Sequence, residues 1–274
     1  MKRQPIIGII GGSGLDRLDA LKNAEQIDTP ETVYGQASDR ITIGELGSQT
    51  VAFLPRHGAR HQFAPCQVPY KANLAALKRT GVKTVVATCI AGSLKSEIKP
   101  GDFVVPDQFV NRTWGRDAHS IEPDGSFVHL PMAEPYCKRL RGACVAALIS
   151  SSVPRVHGSG TTVVIQGPRF STRAESREFI AQGWDIVNMT QYPECLFARE
   201  LGLCYAVFAS ITDWDVGTGL TCCMDATGME EVLKVFHANT ALMIQVLTNL
   251  IGSHLSTFSC DCAAGTITEY YKKR

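Results

Sequence analysis

Apolar positions along the chain fall into two spacings, and their alternation predicts an α/β fold. Short runs of β-branched and apolar residues at 5–10, 40–45, 50–54, 84–89, 103–106, 161–165, 184–187 and 205–209 read as strands. The run at 84–89 has the pattern of a strand buried at the centre of a parallel sheet. Between these runs the period lengthens to that of a helix. Residues 70–79 carry Ala72, Leu74, Ala75 and Leu77 and stop at Gly81. Further helices are predicted at 133–150 and 193–201, and Thr172 caps one that carries Glu175. The last, 225–254, has a broad apolar face that includes Val235, Phe236, Leu242, Met243, Val246 and Leu247. Residues 111–131 show no period and read as an irregular excursion, either a functional loop or an oligomer contact. No repeat or linker divides the chain, so residues 1–274 are expected to form one α/β domain, with the tail beyond about 252 outside the pattern.

Several of these strands turn polar just where they end. In open α/β sheets, ligands sit outside the carboxyl ends of strands, so these turns form the candidate site. Gly11-Gly12-Ser13-Gly14 lacks the spacing of a dinucleotide fingerprint and has no Gly-Lys-Ser/Thr. Its N–H groups and the Ser13 hydroxyl still suit an oxyanion. Arg56 and His57 open a cationic loop, the first offering planar bidentate contacts to phosphate and the second an N–H donor. A second small-residue loop at 90–94 adds the backbone at Cys89 and Ile90, and Thr190 adds a hydroxyl. Against these anion-binding groups stand the acids Asp213 and Asp215 and the flat face of Phe170. A substrate needing both poles has an anion at one end and a nitrogenous ring at the other. Phosphate attack on an N-ribosyl bond fits: the protein must hold phosphate below C1′ and take up charge on the departing base. An aspartate beside purine N7 can share or donate a proton there if its pKa is raised.

The ordered set of motifs resembles a known family. Ile10-Gly11-Gly12-Ser13-Gly14-Leu15, Arg56-His57-Gly58, Gly92-Ser93-Leu94, Lys99-Pro100-Gly101-Asp102, His129-Leu130-Pro131, Gly167-Pro168-Arg169-Phe170-Ser171, Asn188-Met189-Thr190 and Thr212-Asp213-Trp214-Asp215 are similar to the 5′-methylthioadenosine phosphorylases, trimeric members of the purine nucleoside phosphorylase family. The resemblance runs from about residue 6 to about residue 250. It implies a single domain with a central mixed, largely parallel sheet flanked by helices. It also implies phosphate-dependent cleavage of methylthioadenosine to adenine and 5-methylthioribose 1-phosphate, a step of purine and methionine salvage, by a homotrimer or a dimer of trimers. By the same resemblance, Ser13, Arg56, His57, Thr190 and the backbone near Cys89 and Ile90 would hold phosphate. Met189 would hold the ribose, and Phe170 and Ser171 the purine. Asp213 would serve N7 and Asp215 the 6-amino group. Met229, Val232 and Leu233 would line the 5′-methylthio pocket, with His129 reaching it from a neighbouring subunit. Alternatives kept open are a 6-oxopurine or methylthioinosine phosphorylase and a non-catalytic nucleoside-binding protein. Cys89, Ile90 and Gln191 depart from the family pattern, as does the stretch 216–224.

Composition narrows the partners. A net charge of +1 and 45% hydrophobic residues give no reason to expect nucleic acid or an anionic membrane. The apolar run at 6–10 is too short and Gly-rich for a signal peptide, and no stretch reads as the ~20 apolar residues of a spanning helix. These features place the protein in the cytoplasm. The ten cysteines are scattered, apart from Cys222-Cys223 and Cys260-Asp261-Cys262, and read as free thiols, with disulfides as the alternative. No metal is expected, because Cys260 and Cys262 have no second pair at ligand spacing. No organic cofactor is expected either; inorganic phosphate is the co-substrate.

Overall fold

The run predicted at 84–89 becomes the spine of a mixed sheet. A computed structural model of the chain describes residues 6–116, 127, 129–153, 155–220, 226–255, 259, 260 and 262, without the side chains of 226–233 and 254. In chain order the elements are β1 (Ile7–Gly11), β2 (Lys22–Ile27), β3 (Ile41–Leu46), β4 (Gln49–Pro55), α1 (Tyr70–Arg79), β5 (Thr84–Ser93), β6 (Phe103–Val104), β7 (Gln108–Arg112) and α2 (Lys138–Ser150). There follow β8 (Val156–His157), β9 (Thr161–Ile165), α3 (Arg173–Ala181), β10 (Ile186–Asn188), α4 (Gln191–Glu200), β11 (Cys204–Trp214) and α5 (Ala226–Asn249), which runs into a π-helical turn, Leu250–His254.

All these strands join one sheet. Strand β5 lies parallel to β1 over its first half and to β11 along its length, then pairs antiparallel with β10 through Gly92 and Ser93. The parallel β1–β4 and β9–β10 pairs extend the sheet, and the antiparallel β3–β4 hairpin with β2 forms one edge. Alternation along the central strands sorts the core by face. Ile7, Ile9, Val86, Ala206 and Phe208 pack with α2 and α5 residues such as Leu148 and Leu247. Ile10, Val85, Ala87, Val207 and Ala209 pack with α1 and α4 residues such as Leu74 and Phe197.

Two expectations change. The loop read at 90–94 is strand through Ser93, because glycine and serine here let β5 bend from β1 to β10. The segment Lys234–Ser253 is long and apolar enough to cross a membrane by length and composition alone, although its Met243, Val246, Leu247 and Leu250 are buried in the core.

Candidate active site

The carboxyl ends of β1, β4, β5, β10 and β11 meet at one cleft of about 430 Å³. Of the residues singled out in the sequence, Ser13, Arg56, His57, Cys89, Ile90, Phe170, Ser171, Met189, Thr190, Asp213 and Asp215 line it. Glycine makes the β1 end possible: a Cβ on Gly12 would stand 2.5 Å from the Thr88 carbonyl oxygen and 2.7 Å from Arg56 Nη1. The Gly12 N–H donates to Thr88 Oγ1 at 3.0 Å, which leaves Ser13 at the cleft wall.

Arg56 is 1% exposed, and its fork is already engaged. Nε and Nη2 donate to the Glu194 carboxylate at 2.7 and 2.8 Å, and Nη1 donates to the Thr88 carbonyl at 2.7 Å. Three of its five N–H groups are thus spent on protein partners, and two remain, one on each Nη. Burial alone would lower the guanidinium pKa, but the Glu194 charge and hydrogen bonds outweigh it and the net shift is upward.

His57 also differs from expectation. Its Nδ1 stands 2.8 Å from the Phe63 carbonyl, which only accepts, so in the neutral ring Nδ1 carries the hydrogen and Nε2 is an acceptor. Burial, then the Arg56 charge, push its pKa down to about 4. The N–H donor read from the sequence is spent on Phe63.

Asn188 organises the neighbouring wall. Its Oδ1 accepts the N–H groups of Thr190 and Gln191 at 2.7 and 2.8 Å, and its Nδ2 donates to the Ile90 carbonyl at 2.9 Å. Gln191, one of the departures from the family pattern, is buried and donates to another, Cys89 Sγ, at 3.6 Å, while accepting the Tyr136 hydroxyl at 2.6 Å. Burial raises the Cys89 thiol to about 11, so it faces the cleft uncharged.

At the opposite pole, a bulge in β11 places Asp213. Ile211 pairs with Ala91 and Asp213 with Gly92, which leaves Thr212 as the extra residue. The Thr212 hydroxyl donates to Asp213 Oδ1 at 2.7 Å. Asp215 is held by its N–H on the Ser93 carbonyl, and its buried Oδ2 has no hydrogen-bond partner among the described residues. Burial raises both carboxyl pKa values; at Asp213 the charge of Asp215 adds to it. Phe170 stands at the rim, 61% exposed.

Two cleft features went unseen in the sequence. Phe236 lines the cleft from α5, a residue read only as core. Arg116, within the aperiodic excursion, donates to the carbonyls of Tyr192, Gln166 and Met189 at 2.6, 2.7 and 2.8 Å, tying the Gln166 and Met189 segments together. Bonds to backbone carbonyls leave no side-chain pattern to detect.

His129 is exposed, packs edge-on against Phe127 and stands outside the cleft of its own chain. The side chains of Met229, Val232 and Leu233 lie outside the described residues. The argument against a metal is corrected as well: Cys137 and Cys204 come together with Cys260 and Cys262.

The family model of the Phosphorylase superfamily matches residues 6–252. An S-methyl-5′-thioadenosine phosphorylase of Mycolicibacterium smegmatis is 50% identical over 215 residues, covering 77% of this chain and 78% of that one. A purine nucleoside phosphorylase of Streptomyces coelicolor is 42% identical over 267 residues, covering 94% and 92%. Among solved structures, the methylthioadenosine phosphorylase from Schistosoma mansoni in complex with adenine superposes with a TM-score of 0.86 at 36% identity, covering 95% and 96%.

Proposed function

The chain belongs to the phosphorylase superfamily, and on that premise we propose that it cleaves the N-glycosidic bond of 5′-methylthioadenosine with inorganic phosphate, yielding adenine and 5-methylthioribose 1-phosphate. One observation carries the reading. One cleft is lined both by anion-binding groups and by Asp213 and Asp215, whose carboxyl pKa values burial raises, together with Met189 and Asn188.

In this reading phosphate sits among Ser13, Thr190 and the free N–H groups of Arg56, while Nε2 of neutral His57 accepts a hydrogen bond from a protonated phosphate oxygen. Cys89 contributes its backbone, its thiol being occupied by Gln191. The ribose rests on Met189. The purine stacks on Phe170, covering a ring that is otherwise exposed. Asp213 serves N7, supplying or sharing the proton that neutralises the leaving base. Asp215, with one unpartnered oxygen, accepts the 6-amino hydrogen near Ser171.

The proposal takes the 5′ end as apolar. Phe236 lines the cleft, and Met229, Val232 and Leu233 stand seven, four and three residues before it on α5, the spacing of one helix face. A thioether gains from such walls, whereas a hydroxyl would lose a partner. The same proposal takes residues 1–274 as a single nucleoside phosphorylase domain and the working form as a homotrimer.

The test is the initial rate of base release from methylthioadenosine, adenosine and inosine-type nucleosides as phosphate is titrated. Methylthioadenosine should be preferred, with a saturable dependence on phosphate. Release that ignored phosphate would point to hydrolysis or mere binding, and preference for inosine-type bases would move the assignment to the 6-oxopurine enzymes.

A further inference from the structure

Four cysteines gather at the end of the sheet remote from the cleft. Cys204 opens β11 opposite Thr84, whereas Asp213 stands opposite Gly92 near the other end of the same strand, roughly 25–30 Å away at strand rise. Cys137 is the N-cap of α2. Its Sγ accepts the Leu140 N–H at 3.4 Å, and its own N–H donates to the Tyr205 carbonyl at 2.9 Å, locking the start of α2 onto β11. Cys260 and Cys262 arrive from the tail and pack against the same core. All four Sγ atoms lie within 4.8 Å of one another, with Cys260 3.4 Å from Cys137 and 3.2 Å from Cys262.

We propose that Cys137, Cys204, Cys260 and Cys262 form a closed tetrathiolate zinc site that clips the C-terminal tail to the sheet. Sulfur ligands about 2.3 Å from a tetrahedral zinc stand about 3.8 Å apart, so the four atoms need only small rotamer adjustments to meet one ion. A thiolate set selects a soft cation over magnesium or calcium, and a shell with every position filled by protein is structural. Two disulfides would divide the sulfurs into separate pairs; here each lies within reach of all three others. The surroundings suit the charge of a zinc tetrathiolate: the α2 N-terminus and the Leu140 N–H both face Cys137. Zinc entry displaces the thiol protons to solvent, with no change of oxidation state.

The experiment uses the full chain, purified without chelator and then incubated with zinc chloride. Elemental analysis should find about one zinc per chain. The Cys260→Ser/Cys262→Ser variant, altered only in the partly exposed tail positions, should keep its circular dichroism and lose the zinc. Cys66→Ser, outside the cluster, should retain it. Cobalt substitution should give the visible absorption of a tetrahedral thiolate complex, absent from the double variant. Chelation should lower the melting temperature while leaving the Michaelis constants for nucleoside and phosphate unchanged, which separates this site from the cleft. An intact mass four hydrogens short under non-reducing conditions would mean two disulfides and overturn the proposal. Four free thiols with no zinc taken up would do the same.

Discussion

At Asp213 the protein keeps a carboxyl where burial and the neighbouring Asp215 both penalise its charge. An acid serving purine N7 near neutral pH needs this upward shift. Asp213→Asn is expected to lower kcat/KM for adenine-type nucleosides by about 10²-fold or more, and steady-state rates would assign the role elsewhere if the loss stayed under about threefold. The shift also has a stability sign. A pKa raised by folding stabilises the native state in acid, and that contribution is lost as pH rises through the folded value. Asp213→Asn should therefore melt above the parent at neutral pH, and the gap should close in acid. His57 has the opposite dependence. Its folded pKa falls from 6.5 to about 4, so the unfolded chain takes up a proton first and stability drops as pH falls through that window. His57→Gln should flatten the acid limb of a melting-temperature profile; an unchanged slope would place the acid sensitivity in another group.

At the scale of elements, the cleft depends on strand ends being held at fixed separations. Arg56 at the end of β4 reaches Glu194 on α4 and the Thr88 carbonyl on β5, so it is a strut as well as the proposed anion ligand. Breaking a buried pair by removing one partner costs about 3–5 kcal/mol. Glu194→Ala and Arg56→Ala should each lose stability on that scale in denaturant titrations. Arg56→Ala should also raise the Michaelis constant for phosphate. Gly12→Ala tests the same junction from β1, since its Cβ would push against the β5 backbone; phosphate affinity should fall more than nucleoside affinity. These junctions also mark where the sequence was readable. α1, β9 and the Thr172–Glu175 capping box follow from period and cap chemistry alone. β2 did not, because Lys22–Ile27 is an exposed edge strand with no apolar alternation to detect. The polar ends of β5 and β11 have the composition of loops, although pairing continues through Ser93 and Trp214. Gly92, Ser93 and Asp213 have weak strand propensity, and tertiary pairing overrides it. The residues of the cleft were legible because chemistry collects at strand ends, whereas their hydrogen-bond partners were not. Which N–H groups Arg56 and His57 have left depends on Glu194 and Phe63, and only the fold brings these together.

Over the whole molecule, the cleft is left open on the side where Phe170 is exposed, and Trp114, 74% exposed, donates its backbone N–H to Gln166 near the same loop. We propose that the exposed Trp114 ring lies at an interface between copies of this chain. A homotrimer, as proposed, would cover it and would bring His129, exposed and outside its own chain's cleft, to a neighbour's cleft. Light scattering should then give the mass of three 29.8 kDa chains, and Trp114→Asp should shift it toward monomer with weaker nucleoside binding. Contribution across the interface has a sharper signature in mixed assemblies. His129→Ala chains retain Asp213, and Asp213→Asn chains retain His129. After the two are co-refolded, some clefts combine an intact Asp213 with a neighbour's intact His129. At methylthioadenosine concentrations below the Michaelis constant, the mixture should turn over faster than the mean of the two variants assayed separately. A rate equal to that mean would confine His129 to its own chain and remove the requirement for a trimer from the chemistry.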